Sequence, residues 1–80
     1  MYKVGDLVEV YIPESVYKDS DIITALARKY NRELHYISKR KEFRNADGIK
    51  VGSYVELEDC TASTGIPYSF DIEWIRVPED

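Results

Sequence analysis

The sequence predicts a mainly β protein with one short helix: four or five short antiparallel strands curled into a small, partly open barrel, with the helix at about residues 20–30. Three observations carry this. Apolar residues alternate at period two in Val8, Val10 and Ile12, and again in Tyr68, Phe70, Ile72 and Trp74, as in strands that bury one face. Only Asp21 to Tyr30 spaces its apolar residues at steps of three and four. Asn45-Ala46-Asp47-Gly48 supplies hairpin turn chemistry between two extended runs.

In chain order, the first strand carries Val8, Val10 and Ile12 inward against Leu7, Glu9 and Tyr11, and Pro13 stops it. Residues 13–20 mix a strand breaker with small polar residues and read as a loop. Ser20 or Asp19 then caps the helix, Asp21 suits its dipole, and Ile22, Ile23, Leu26, Ala27 and Tyr30 form its buried face. A helix of ~10 residues is unstable alone, so it must pack on the sheet. Asn31 ends it through its tolerance of left-handed geometry. Residues 33–43 form the second strand, with Leu34 and Tyr36 on one face and His35 and Ile37 on the other. The third strand runs from about Lys50 to Asp59 and alternates Val51, Val55 and Leu57 with Tyr54, Glu56 and Glu58. Cys60 to Pro67 reads as a loop, and the fourth strand carries Tyr68, Phe70, Ile72 and Trp74 on one side with Ser69, Asp71 and Glu73 on the other. Ile75 and Val77 add a short last strand before Pro78 and the acidic Glu79-Asp80.

At 80 residues, 44% hydrophobic and 32% charged, the chain falls in the globular range with room for one core, so residues 1–80 read as a single domain with a helical insertion at about 13–31. No apolar run reaches the ~18–20 residues of a membrane span and no apolar leader opens the chain, which points to a cytoplasmic protein without membrane contact. Cys60 is the only cysteine, so no internal disulfide forms. A core this small needs tight packing, and self-association is one way to supplement it.

Two chemistries are expected to be absent. No Gly-rich phosphate loop, nucleophile elbow or activated nucleophile with its base occurs, so the chain reads as no enzyme and as binding no cofactor. His35 is the lone histidine and Cys60 the lone cysteine, too few to hold zinc, and Glu58-Asp59 beside Cys60 would raise its pKa rather than activate it. Placing Gly48 at the invariant glycine of a calcium loop puts Phe43 and Tyr54 where carboxylate ligands belong, so no metal site is expected there.

Charge is the strongest functional signal. Residues 21–50 carry eight Lys or Arg against four acids, whereas residues 51–80 carry seven acids against Arg76 alone, within a net charge of −4. Such segregation governs association rather than fold. Period-two spacing puts Glu56 and Glu58, and likewise Asp71 and Glu73, outward on neighbouring strands. With Tyr54 they form a candidate acidic face for a basic partner, and Lys or Arg of the basic middle are the competing neighbours that would neutralise it. Size disfavours a glycosidase-like acid pair, since so small a fold has little room for a deep cleft. Arg28, Lys29, Arg32, Lys39, Arg40, Lys41 and Arg44, interleaved with Tyr36 and Phe43, form the alternative, a nucleic-acid-binding patch. The pI of about 4.9 weighs against it. Seven Tyr against two Phe favour interfaces with one wet side; Tyr36, Tyr68 and Trp74 are core candidates.

The stretch Tyr2-Lys3-Val4-Gly5-Asp6-Leu7-Val8-Glu9-Val10 resembles the first strand of SH3-like small barrels, and Pro67-Tyr68-Ser69-Phe70-Asp71-Ile72-Glu73-Trp74-Ile75 is similar to their final strand and tight turn. The resemblance implies a barrel of the compact kind found in bacteriophage and mobile-element proteins, and places Tyr11 and Tyr17 where such domains often carry a peptide-binding loop. A proline-rich ligand is implied less, because the Ala-Leu-Tyr-Asp-Tyr opening of signalling SH3 domains is missing. The expectation is therefore a non-enzymatic protein-interaction module acting through its acidic, Tyr-bearing surface. The phage-type likeness adds that it inhibits or modulates a host or defence protein.

Overall fold

In the computed structural model, which describes residues 2–78, five antiparallel strands form one open sheet in the order β4-β3-β2-β1-β5, accompanied by two short helices. The elements are β1 (Leu7–Val10), α1 (Glu14–Tyr17), α2 (Asp21–Tyr30), β2 (Leu34–Arg44), β3 (Lys50–Thr61), β4 (Pro67–Asp71), a 3-10 turn (Ile72–Trp74) and β5 (Ile75–Arg76). The Glu79-Asp80 close lies outside the described residues.

Strand β2 joins the two halves of the sheet. Its first residues pair with β1, Leu7 opposite Tyr36 and Glu9 opposite Leu34, while the stretch from Ile37 onward pairs with β3. The register shifts between Ile37 and Lys39, where the strand passes from one ladder to the other. The chain's end returns to its start: Val10 pairs with Ile75 and Glu9 with Arg76.

The core gathers the alternating residues of every strand. Val8, Val10, Ile12, Ile37, Val55, Leu57, Cys60, Phe70 and Ile75 are buried, closed by Leu26, Ala27 and Tyr30 of α2. The Tyr30 ring meets Tyr68, Phe70 and His35 edge-on at 6.1, 6.0 and 5.9 Å between centroids, the arrangement that ring quadrupoles favour. Burial on this scale holds α2 in place, its start fixed by the Ser20 hydroxyl accepting from the Ile23 N–H.

Several local expectations need correction. The 13–20 segment contains a helical turn, Pro13 leading into α1 with the Lys18 N–H returning to the Glu14 carbonyl. Proline suits this position, since its fixed φ is compatible and its absent N–H would find no helical partner. Ile22 is 81% exposed, so the buried face of α2 is narrower than its apolar spacing implies. Asn31 is not left-handed; Arg32 takes that role at φ 77. Tyr36 points outward, exposed beside Leu34. Cys60 belongs to β3: Asp59 at φ 65 inserts an extra residue, so burial passes from Ser53, Val55 and Leu57 to Cys60 out of phase. Strand β4 ends at Asp71, whose Oδ1 accepts from the Glu73 N–H and turns Ile72–Trp74 into a 3-10 turn instead of strand. The Asn45–Gly48 turn forms as expected, with Asn45 Oδ1 accepting from both Asp47 and Ile49 N–H and Gly48 at φ 78.

Candidate functional site

The outer face of the β2-β3-β4 hairpins carries the candidate acidic residues. Tyr54 lies directly opposite Asp71, and Glu56 opposite Ser69, so no like charges face one another across the ladder. The 3-10 turn swings Glu73 in beside them. Tyr54, Asp71, Ile72 and Glu73 line one side of a polar open groove of ≈ 400 Å³ together with Lys50, Val51, Gly52 and Ser53. Gly52 is what lets Tyr54 lie flat here, because a Cβ at that position would stand 2.8 Å from the Tyr54 ring. Phe43 supports the same ring edge-on at 5.3 Å. Ser53 Oγ, buried at the base of β3, has no hydrogen-bond partner among the described residues.

The other acidic candidates have different roles. Glu56 is held by Lys41, Nζ to Oε2 3.2 Å, and Lys41 also donates to Ser69 Oγ. Glu58 sits at the β3 bulge, outside the paired register of β4, and its carbonyl accepts from His35 Nδ1 at 2.8 Å. His35 Nε2 in turn lies 2.8 Å from Glu33 Oε1, so the ring ties β2 to the bulge. The structure thus brings together three of the acidic-face candidates (Tyr54, Asp71, Glu73), neutralises Glu56 on the same face and leaves Glu58 apart.

The basic candidates are largely engaged within the chain. Glu42 sits among Arg40, Arg44 and Lys50 at 3.6 to 3.8 Å, and Arg40 also donates to the Tyr2 carbonyl at 2.8 Å. Arg32 stands 4.0 Å from Glu9. Among the described residues only Arg28, Lys29 and Lys39 of this set lack an ion pair, and Lys29 lies over the Tyr30 ring.

Tyr11 and Tyr17 separate as well. The Tyr11 ring is covered by the Arg76 guanidinium at 4.2 Å, with Arg32 at 5.3 Å, while Tyr17 is half-buried against the core and its carbonyl accepts from Thr24 Oγ1. The sequence reading missed the charge cluster around Tyr11. Arg76 Nε donates to Glu9 Oε1 at 2.7 Å across β1 and β5, and that hydrogen bond first, then the charges of Arg76 and Arg32, hold the Glu9 carboxyl below the ordinary carboxylate range against the opposing effect of burial. A carboxylate depressed in the folded state stabilises the fold above its unfolded pKa and loses that contribution as pH falls through its folded pKa. Glu9→Gln is therefore expected to flatten the acid limb of a pH–stability profile, with urea midpoints from pH 7 to 3 as the measurement; an unchanged limb would contradict the pairing.

Cys60 is fully buried, and its thiol is pushed up to about 12, first by burial, then by the Glu33 and Asp59 carboxylates, with Lys29 opposing weakly. The native thiol is expected to resist a disulfide reagent at pH 8 and to react fully once urea unfolds the chain. Rapid stoichiometric labelling of folded protein would contradict this. Among the described residues no group of three or more His, Cys, Asp or Glu is placed to hold a metal ion, and no helix is long and apolar enough to cross a membrane. Comparison with protein-family models, with curated proteins and with solved structures returned no match to this chain.

Proposed function

We propose that this chain is a non-enzymatic protein-interaction module of SH3-like type, docking a basic segment of another protein in the groove of Tyr54, Asp71 and Glu73. The observation that carries the reading is the convergence of those three side chains, with Ile72 between the acids, around one open groove. It offers a ring with a polar tip, an apolar contact and two carboxylates, the elements that hold the stem and head of an Arg or Lys side chain. The SH3-like part of the reading is supported by the strand order β4-β3-β2-β1-β5, with a 3-10 turn before the last strand and that strand returning to β1. The likeness to bacteriophage-type barrels adds a partner class: a host or defence protein whose nucleic-acid site is basic, which this chain would occupy and inhibit or modulate. The alternative, a nucleic-acid adaptor built on residues 28–50, has less support because Arg32, Arg40, Lys41, Arg44 and Lys50 each have a carboxylate beside them.

The test is a titration of ¹⁵N-labelled protein with an Arg/Lys-rich peptide, an acidic peptide and single- and double-stranded oligonucleotides at low salt. The expected result is shifts at Tyr54, Asp71, Ile72 and Glu73 with the basic peptide alone, lost in Asp71→Asn/Glu73→Gln and weakened in Gly52→Ala, which displaces the Tyr54 ring. Oligonucleotide binding through residues 28–50, or basic-peptide shifts elsewhere that the double variant leaves unchanged, would overturn it.

A further inference from the structure

The exposed face of α2 has its own organisation. An open, mostly apolar groove of ≈ 390 Å³ is lined by Asp21, Ile22, Ala25, Leu26, Lys29, Tyr30 and Tyr68. Among the described residues Ile22 is the most exposed large apolar one at 81%, and it lines the groove. Covering this side chain with a second surface would remove from water apolar area that the monomer leaves exposed. Asp21 and Lys29 bracket the groove, and neither has an ion pair among the described residues.

The positions of these residues are symmetric. Asp21 is four residues before Ala25 and Lys29 four after it, so at 1.5 Å per residue the opposite charges lie about 6 Å to either side of a small residue. We propose that this face binds a second copy of the same chain, through an antiparallel α2–α2 contact with its two-fold axis at Ala25. That operation sets Asp21 of one copy against Lys29 of the other, twice. Ala25 at the crossing point lets the helices approach to about 8 Å. The same rotation brings each Ile22 to the level of residue 28 on the other helix. There it enters the groove between the Ala25-Leu26 turn and the Lys29-Tyr30 turn, against Tyr68. A two-fold contact uses one patch twice, which this charge pattern permits and a parallel contact does not: parallel helices in register would place like charges together. One helix pair with Tyr68 at its rim falls below the ~1,200 Å² of standard interfaces, so the dimer is expected to be weak and reversible.

Sedimentation equilibrium between about 10 µM and 1 mM tests this, with dissociation expected inside that range. On dilution, ¹H–¹⁵N shifts should be confined to residues 21–30 and Tyr68. Ile22→Gln, which removes the apolar contact without setting a new charge beside Arg28 and Lys29 of the other copy, should weaken association at least about tenfold with an unchanged far-ultraviolet circular dichroism spectrum. Asp21→Lys and Lys29→Asp should each weaken association at least about tenfold, and an equimolar mixture of the two should form a heterodimer, since all charges facing across it are then opposite. Because Asp21→Lys adds charge at a helix start, the uncharged Ile22→Gln and the dilution shifts provide a test that does not depend on it. A wild-type monomer at 1 mM, an Ile22→Gln dimer as tight as the wild type, or dilution shifts centred on another surface would each overturn the proposal.

Discussion

Phe70→Ala is expected to leave the chain without a cooperative fold at 25 °C. Phe70 is fully buried in β4 opposite Val55, and its ring meets Tyr30 of α2 edge-on. It is therefore where the outermost strand and the helix are held to each other. Removing a buried Phe side chain costs about 3–5 kcal/mol, from lost transfer energy and from the cavity left behind. A domain of this length has on the order of 4–12 kcal/mol in total, toward the lower end where no disulfide or metal supplements the core. The loss is thus comparable to the whole. A thermal melt by circular dichroism and the dispersion of the ¹H–¹⁵N spectrum are the measurements. Phe70→Leu, which keeps most of the volume, should retain a cooperative but lower melting transition. A Phe70→Ala protein that melts within about 5 °C of the wild type would mean that α2 and β4 are held together by something else.

Asn31→Ala is expected to cost about 2–4 kcal/mol, more than an exposed helix-terminal residue would. The Asn31 amide clamps Ile12 from both sides: Oδ1 accepts from the Ile12 N–H at 2.7 Å and Nδ2 donates to the Ile12 carbonyl at 3.1 Å. Ile12 is itself buried just past the end of β1, where no neighbouring strand serves its backbone. Truncation leaves a donor and an acceptor unsatisfied at a buried site, about 1–3 kcal/mol each before any water enters. Asn31→Asp retains the acceptor for the N–H but sets a carboxylate against the carbonyl, so it should recover only part of the loss. Urea midpoints at pH 7 with unchanged slopes would show the effect as stability alone. A midpoint shift below that of an ordinary surface substitution would mean that solvent serves Ile12 equally well.

How far these features can be read in the sequence depends on whether their cause is local. The inward set Val8-Val10-Ile12, the Ser20 cap and the Asn45–Gly48 turn were legible, because alternation, capping and turn chemistry act within a few residues. Asn31 was recognised as the end of the helix but not for its bonds, since Ile12 lies nineteen residues away in the chain. The stripe Tyr68-Phe70-Ile72-Trp74 reads equally well as continuous strand or as strand followed by a 3-10 turn, and only the Asp71 side chain bonding to the Glu73 N–H decides between them. The candidate groove depended on that decision, because the turn is what carries Glu73 to Tyr54 and Asp71. The bulge at Asp59 likewise moved Cys60 from an expected loop into the core. Ile22 was assigned inward because spacing marks a helical face without saying how much of it the sheet is wide enough to cover.

The two ends of the sheet bear on how the protein behaves when crowded. Strand β5 is only two residues long, and β4 is headed by Pro67, which has no N–H to offer an incoming strand. Addition of a further strand to β4 or to β5 finds little template. Assembly through these two strands should accordingly stop at discrete, countable species instead of running on into open-ended aggregates.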